Sequence, residues 1–166
     1  MPDRPDEFLN DNERTILLQQ IKTRIRWIIS DTEILLNNGG QLPIVAALYI
    51  HAIEEYGKYL YVKDLPSESG IVTVDMKNKF LKHNYKINLA KNQLPNECFV
   101  LHRGSFTKSG FTRSGYNITE VADWETRLTI LNTDIKDGRV LHLPEVDHGD
   151  LKKAIEEFKS VLQKLN

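Results

Sequence analysis

Cys98 is the only cysteine in the chain. An intramolecular disulfide is therefore impossible, and a zinc site built from cysteines is not expected. No run of 18 apolar residues occurs, so no transmembrane helix is expected. The first residues, MPDRPDEFLNDNE, have neither the basic region nor the apolar core of a secretory leader. A cytoplasmic location fits these absences. No Gly-rich strand-to-helix phosphate loop is present, and Ser105 and Ser109 lack a nucleophile-elbow pattern. His51-x-x-Glu54 has the reverse order of a di-iron Glu-x-x-His unit and no second copy. The stretch HLPEVDHGD, residues 142–150, is explained more cheaply by a loop and helix cap than by metal ligation. Neither a metal nor a cofactor is expected.

What is present is ordinary for a globular protein: 166 residues, 40% hydrophobic and 27% charged. That length suits one domain with a real core, so residues 1–166 are read as a single helical domain. Its net charge of −1 hides an uneven distribution. Residues 1–75 carry 12 acids against 7 bases, and residues 120–166 carry 10 against 7. Residues 76–119 carry one acid, Glu97, against eight bases: Lys77, Lys79, Lys82, Lys86, Lys91, Arg103, Lys108 and Arg113. A basic middle third between acidic flanks can attract an anionic partner if it folds onto one surface. Equally, its lysines can solvate a helix and pair with the acidic thirds.

Periodicity predicts a first helix within residues 11–37, capped by Asp11 or Asn12, with Ile21, Ile25, Ile28, Leu35 and Leu36 on one face. Asn37-Asn38-Gly39-Gly40 is a strong stop. A second helix, from about Leu42 to Asp64 with Pro43 in its first turn, is apolar nearly all round and is read as central and buried. A third is expected over residues 74–92, capped by Thr73 or Asp75, with Met76, Phe80, Ile87 and marginally Asn84 on one face. The bundle core thus spans about 11–92.

Residues 93–117 read as an irregular loop containing the echo FTKSG, FTRSG. In it Phe106, Phe111 and Tyr116 alternate with Lys108 and Arg113. Such a pattern can stack and neutralise single-stranded nucleic acid, or can simply pin a loop to the bundle. RLTILN and RVLHLP around Asp137-Gly138 suggest a small β-hairpin at about 127–143. A C-terminal helix is expected at about 147–164, with Ile155, Phe158, Val161 and Leu162 as its stripe. The expected class is mainly α, a helical bundle with a small β-hairpin appendage before the C-terminal helix.

The most unusual stretch is HAIEEYGKYL, residues 51–60. On a helical wheel His51, Glu54, Glu55 and Lys58 fall within an arc of roughly 100°. They form a polar strip on an otherwise apolar helix, with Glu54–Lys58 and His51–Glu55 as i,i+4 pairs. Gly57 would let a neighbouring helix come close. A bare carboxylate in a core is too costly, so the strip must be paired or must reach a cleft. His83 and Lys86, adjacent on the third helix, are the available partners if the two helices lie side by side. Such a network can be purely structural or can be a site.

The Glu54-Glu55-x-Gly57-Lys58 helix resembles the signature of the AbiV-type abortive infection proteins, a branch of the HEPN-like helical superfamily. His83 and Lys86 match that family's histidine and lysine on the following helix, and LTILNTDIKDGRVLHLP echoes a later β-like stretch. The resemblance spans roughly residues 20–145. It implies a HEPN-like bundle, often homodimeric, and an antiphage effector that binds a phage or host protein, or RNA, and arrests growth or translation of the infected bacterial cell. The alternative it implies is a metal-independent ribonuclease. Catalytic HEPN ribonucleases carry Arg, four to six residues, then His. None of His51, His83, His102, His142 and His148 has an Arg at that spacing. His83 has Lys77 instead, with five residues between. RNA cleavage would then rest on His83 with Lys77 or Lys86, and binding of nucleic acid or an acidic partner on Lys79, Lys82, Arg103, Lys108 and Arg113.

Overall fold

A computed structural model describes residues 10–65, 82–101, 135–136, 139–140 and 146–165. The described chain is mainly helical. Helix α1 runs Asp11–Asn37, α2 Leu42–Lys63, α3 His83–Lys91 and α4 His148–Gln163. A short 3-10 turn occupies Asn96–Phe99. Two-residue strands β1 (Ile135–Lys136) and β2 (Arg139–Val140) pair antiparallel, with Ile135 opposite Val140. The rest of the 127–143 segment lies outside the described residues. No helix among the described residues is long and apolar enough to cross a membrane.

The cap of α1 is Asn10, one residue before the expected Asp11 or Asn12. Its side chain accepts from Glu13 N at 2.9 Å, and Glu13 Oε2 accepts from Asn10 N at 3.0 Å, a reciprocal capping box. The far end stops as the sequence demands. Gly39 adopts φ +72°, and Gly40 N donates to Leu35 O at 2.7 Å, a reversal that an L side chain disfavours. The buried stripe of α1 is Ile21, Ile25, Ile29, Thr32 and Leu36. Ile28 is only half-buried and Leu35 is exposed, contrary to expectation. The contact follows a row of residues four apart, which drifts round the helix and takes Ile29 in place of Ile28. Thr32 is tolerated in the core because its hydroxyl donates to Ile28 O at 2.6 Å.

Helix α2 is the centre of the bundle, as its composition requires. It packs on α1 along one side, on α3 along another and on α4 at a third. Val45, Tyr49, Ile50, Ile53 and Val62 are fully enclosed. Tyr49 is the polar exception. Its hydroxyl lies 2.7 Å from Cys98 O and 3.1 Å from Ala154 O, and so ties the 3-10 turn and α4 to α2. Burial pushes the Tyr49 phenol well above its ordinary pKa. The segment after residue 92 is therefore not simply irregular. Leu94, Cys98, Phe99 and Leu101 are buried, and Cys98, a core residue, has its thiol pushed up to about 12 by burial.

The third helix departs most from expectation. Lys82 is extended (φ −80°, ψ 104°), so α3 begins at His83. Residues 73–81, with the expected caps Thr73 and Asp75 and with Met76 and Phe80, lie outside the described residues. Ile87 is buried as expected, but Asn84 is exposed. Helix α4 starts where the acids placed it, with Asp147 capping through Asp150 N at 2.8 Å. Its Leu151, Ala154, Ile155, Phe158 and Leu162 enter the core, while Val161 is half-buried. The Phe158 ring meets Tyr49 and Tyr56 edge-on, at 6.1 and 5.5 Å between centroids.

Candidate functional site

The polar strip of α2 exists, but it is two half-sites rather than one face. Adjacent residues on a helix point about 100° apart. Glu54 accordingly faces α3 and Glu55 faces α1. Both carboxylates are buried, at 2% and 4% exposure. Within α2 the charged groups pair three residues apart, not four: His51 Nδ1 lies 3.9 Å from Glu54 Oε2, and Lys58 Nζ lies 3.7 Å from Glu55 Oε1.

On the α3 side the expected partners meet. His83 Nδ1 lies 2.7 Å from Glu54 Oε1, and Lys86 Nζ lies 2.6 Å from the same oxygen. Gly57 makes this junction possible. A Cβ there would stand 1.7 Å from Lys86 O, so the two backbones touch where any side chain would collide. Because α2 and α3 approach so closely, the buried Lys86 ammonium and the solvent-bordering His83 imidazole reach the carboxylate directly.

The electrostatics are decided by donors. Burial alone would raise the Glu54 carboxyl, and it is the largest single influence. The nearby His51 imidazole, the hydrogen bonds from Lys86 and His83, and the Lys86 charge together outweigh it and bring the pKa from 4.5 to about 2. Glu54 is therefore ionised at any physiological pH. A carboxylate on His83 Nδ1 holds that nitrogen protonated, which leaves Nε2 as the basic nitrogen of the neutral ring. The His51 and His83 side chains are each 38% exposed, so both imidazoles border solvent while the carboxylate between them does not. Such an arrangement can orient a proton-transferring histidine, and it can equally lock two helices in register. Among the described residues, no three His, Cys, Asp or Glu side chains are arranged to hold a metal ion.

On the α1 side Glu55 faces Arg24, whose Nη1 lies 4.0 Å from Glu55 Oε2. That oxygen is buried and has no hydrogen-bond partner. Arg24, with Trp27 beside it, was not marked by any motif. Both lie on the polar face of α1, and only the way α1 packs on α2 brings them to Glu55.

The structure thus brings together His51, Glu54, His83 and Lys86, and places Glu55 and Lys58 on the neighbouring face. Lys82 is exposed at the start of α3. Lys77, Lys79, Arg103, Lys108 and Arg113 lie outside the described residues. No family model, curated protein or solved structure matches this chain.

Proposed function

We propose that this chain is an antiphage abortive infection effector, a cytoplasmic HEPN-like helical bundle with a hairpin appendage. It acts as a homodimer that binds a phage or host protein, or RNA, and arrests growth or translation of the infected bacterial cell. One observation carries this reading. Four of the six residues on which the resemblance rests, Glu54, Gly57, His83 and Lys86, form a single contact between α2 and α3. Expression in a bacterial host should slow growth and cut phage yield, and Glu54→Gln should weaken both effects. A folded protein that leaves growth and phage yield unchanged would refute the proposal.

The second reading is a metal-independent ribonuclease, favoured by the 2.7 Å contact that orients His83. In it His83 Nε2 takes the proton of a 2′-hydroxyl as that oxygen attacks phosphorus. The P–O5′ bond breaks, the departing 5′-oxygen takes a proton from water, and the His83 imidazolium returns its proton to the resulting hydroxide, leaving a 2′,3′-cyclic phosphate. The cation that meets the developing phosphate charge would be Lys86, which is buried against Glu54, or Lys77, which lies outside the described residues. Total RNA incubated with the protein in low salt and EDTA tests this. Cleavage that disappears in a folded His83→Ala protein establishes it, and intact RNA removes it.

A further inference from the structure

The second of the two adjacent glutamates has no role at the Glu54 junction. Its side chain instead forms part of the wall of an open cavity of about 400 Å³ between α1 and α2, a size suited to a small ligand. Gln20, Thr23, Arg24, Trp27 and Lys58 line the same cavity. Three features there are unusual together. Glu55 Oε2 is buried without a hydrogen bond, a costly state for a charged acceptor. Arg24 and Lys58 stand at 4.0 and 3.7 Å from the carboxylate, beyond hydrogen-bond reach. Trp27 is left 68% exposed at the rim.

The chemistry narrows the ligand. An unsatisfied carboxylate oxygen calls for an N–H donor. Arg24, exposed beside the carboxylate, disfavours a cationic ligand and favours one that also carries an anion. An exposed indole offers a stacking surface for a flat ring. Among nucleobases, only guanine presents two adjacent donors, N1–H and N2–H₂, to a carboxylate. Adenine and cytosine set a ring-nitrogen acceptor beside their amino group, and uracil flanks its N–H with two carbonyls. We propose that this cavity binds a guanine nucleotide, with the base stacked on Trp27, its donor edge on Glu55 and its phosphate on Arg24. The Arg24 side chain is 62% exposed, so it has room to swing off Glu55 and take the phosphate. The site lies on the other side of α2 from Glu54 and does not depend on whether RNA is cut there.

Titration calorimetry on the purified protein, with GMP, AMP and guanosine as probes, tests the proposal. GMP should bind about tenfold or more tighter than AMP, the scale of one good bidentate base contact. Glu55→Gln, which puts an amide NH₂ against the guanine donors, should bring GMP down to the AMP level. Trp27→Ala should weaken both, and Arg24→Ala should erase the advantage of GMP over guanosine. Circular dichroism checks that each variant is folded. Adenine pentamers with one terminal guanine separate the two sources of the ligand. Tighter binding than GMP identifies an RNA end, and equal or weaker binding identifies the free nucleotide. No saturable binding of any guanine probe would overturn the proposal, as would equal affinity for AMP. So would a guanine preference that survives Glu55→Gln.

Discussion

Replacing Gly57 by alanine tests the α2–α3 junction at its tightest point. In isolation the change should help, since alanine is favoured over glycine in a helix by about 1 kcal/mol. Here the new Cβ would lie 1.7 Å from Lys86 O and 2.4 Å from its carbonyl carbon, both backbone atoms that cannot rotate away. Ordinary contact requires the helices to part locally by roughly 1.5 Å. The two contacts of Glu54, at 2.6 and 2.7 Å, would then stretch past hydrogen-bond range. Hydrogen bonds to charged groups contribute about 1.5–3 kcal/mol each. Overpacking without separation costs a similar 1–3 kcal/mol. After the propensity gain, separation leaves a net loss of about 2–5 kcal/mol and overpacking about 0–2, so we expect a loss of about 2 kcal/mol. Urea unfolding followed by far-UV circular dichroism measures it. Glu54→Gln should also cost less in the Gly57→Ala background than alone, because the carboxylate has already lost its partners. A Gly57→Ala protein as stable as wild type, with fully additive effects, would show that the helices do not meet as described.

Three further outcomes follow from the same geometry. Glu54→Ala should destabilise by about 3–5 kcal/mol in denaturant melts, because it leaves the buried Lys86 ammonium without its carboxylate; a loss below about 1 kcal/mol would mean that water already reaches the junction. Acid titration should show where Glu54 matters. Its folded pKa, about 2, lies below the ordinary 4.5, so the unfolded chain takes up the proton first. Its contribution is complete above 4.5 and is lost as pH falls toward 2, up to about 3 kcal/mol in all. Glu54→Gln should flatten that part of the stability–pH curve, and an unchanged slope would count against the assignment. The Cys98 thiol, buried and raised to about 12, should resist a thiol reagent at neutral pH until the protein is unfolded. Rapid labelling of the folded protein would show that the 3-10 turn opens.

Helix α2 was legible because one rule dominates it: a segment apolar on nearly every side must be central, and four ionisable groups in such a segment must find partners. The partners His83 and Lys86 were legible too, since they stand three residues apart and so adjacent on the next expected helix. The start of α3 was not. Residues 74–82 have acceptable helix propensity and no breaker, yet Lys82 is extended and carries no side-chain cap. The conformation of one residue is set by its tertiary context, and here α3 packs its backbone against Gly57 of α2. Likewise Asn96–Phe99 has no periodicity long enough to read. Its position is set by a hydrogen bond from Tyr49, 49 residues away, and no local pattern encodes a contact at that separation.

The two adjacent glutamates show the same boundary in miniature. On the wheel they belong to one polar arc, and the arc suggests one site. Yet a helix packed on two sides divides any such arc between its neighbours, and here the division falls between consecutive residues. Glu54 meets three donors and its carboxyl is held near pKa 2, while Glu55 keeps two cations at a distance and an oxygen without a hydrogen bond. The first is a satisfied acceptor, whose loss should register mainly as stability. The second is an unsatisfied one, whose replacement by glutamine should cost the fold little, because no hydrogen bond is lost. If stability and ligand binding respond to the two substitutions in that crossed pattern, the pair divides structure from recognition. If both register only as stability, the cavity beside Glu55 holds no ligand and the two carboxylates are one scaffold.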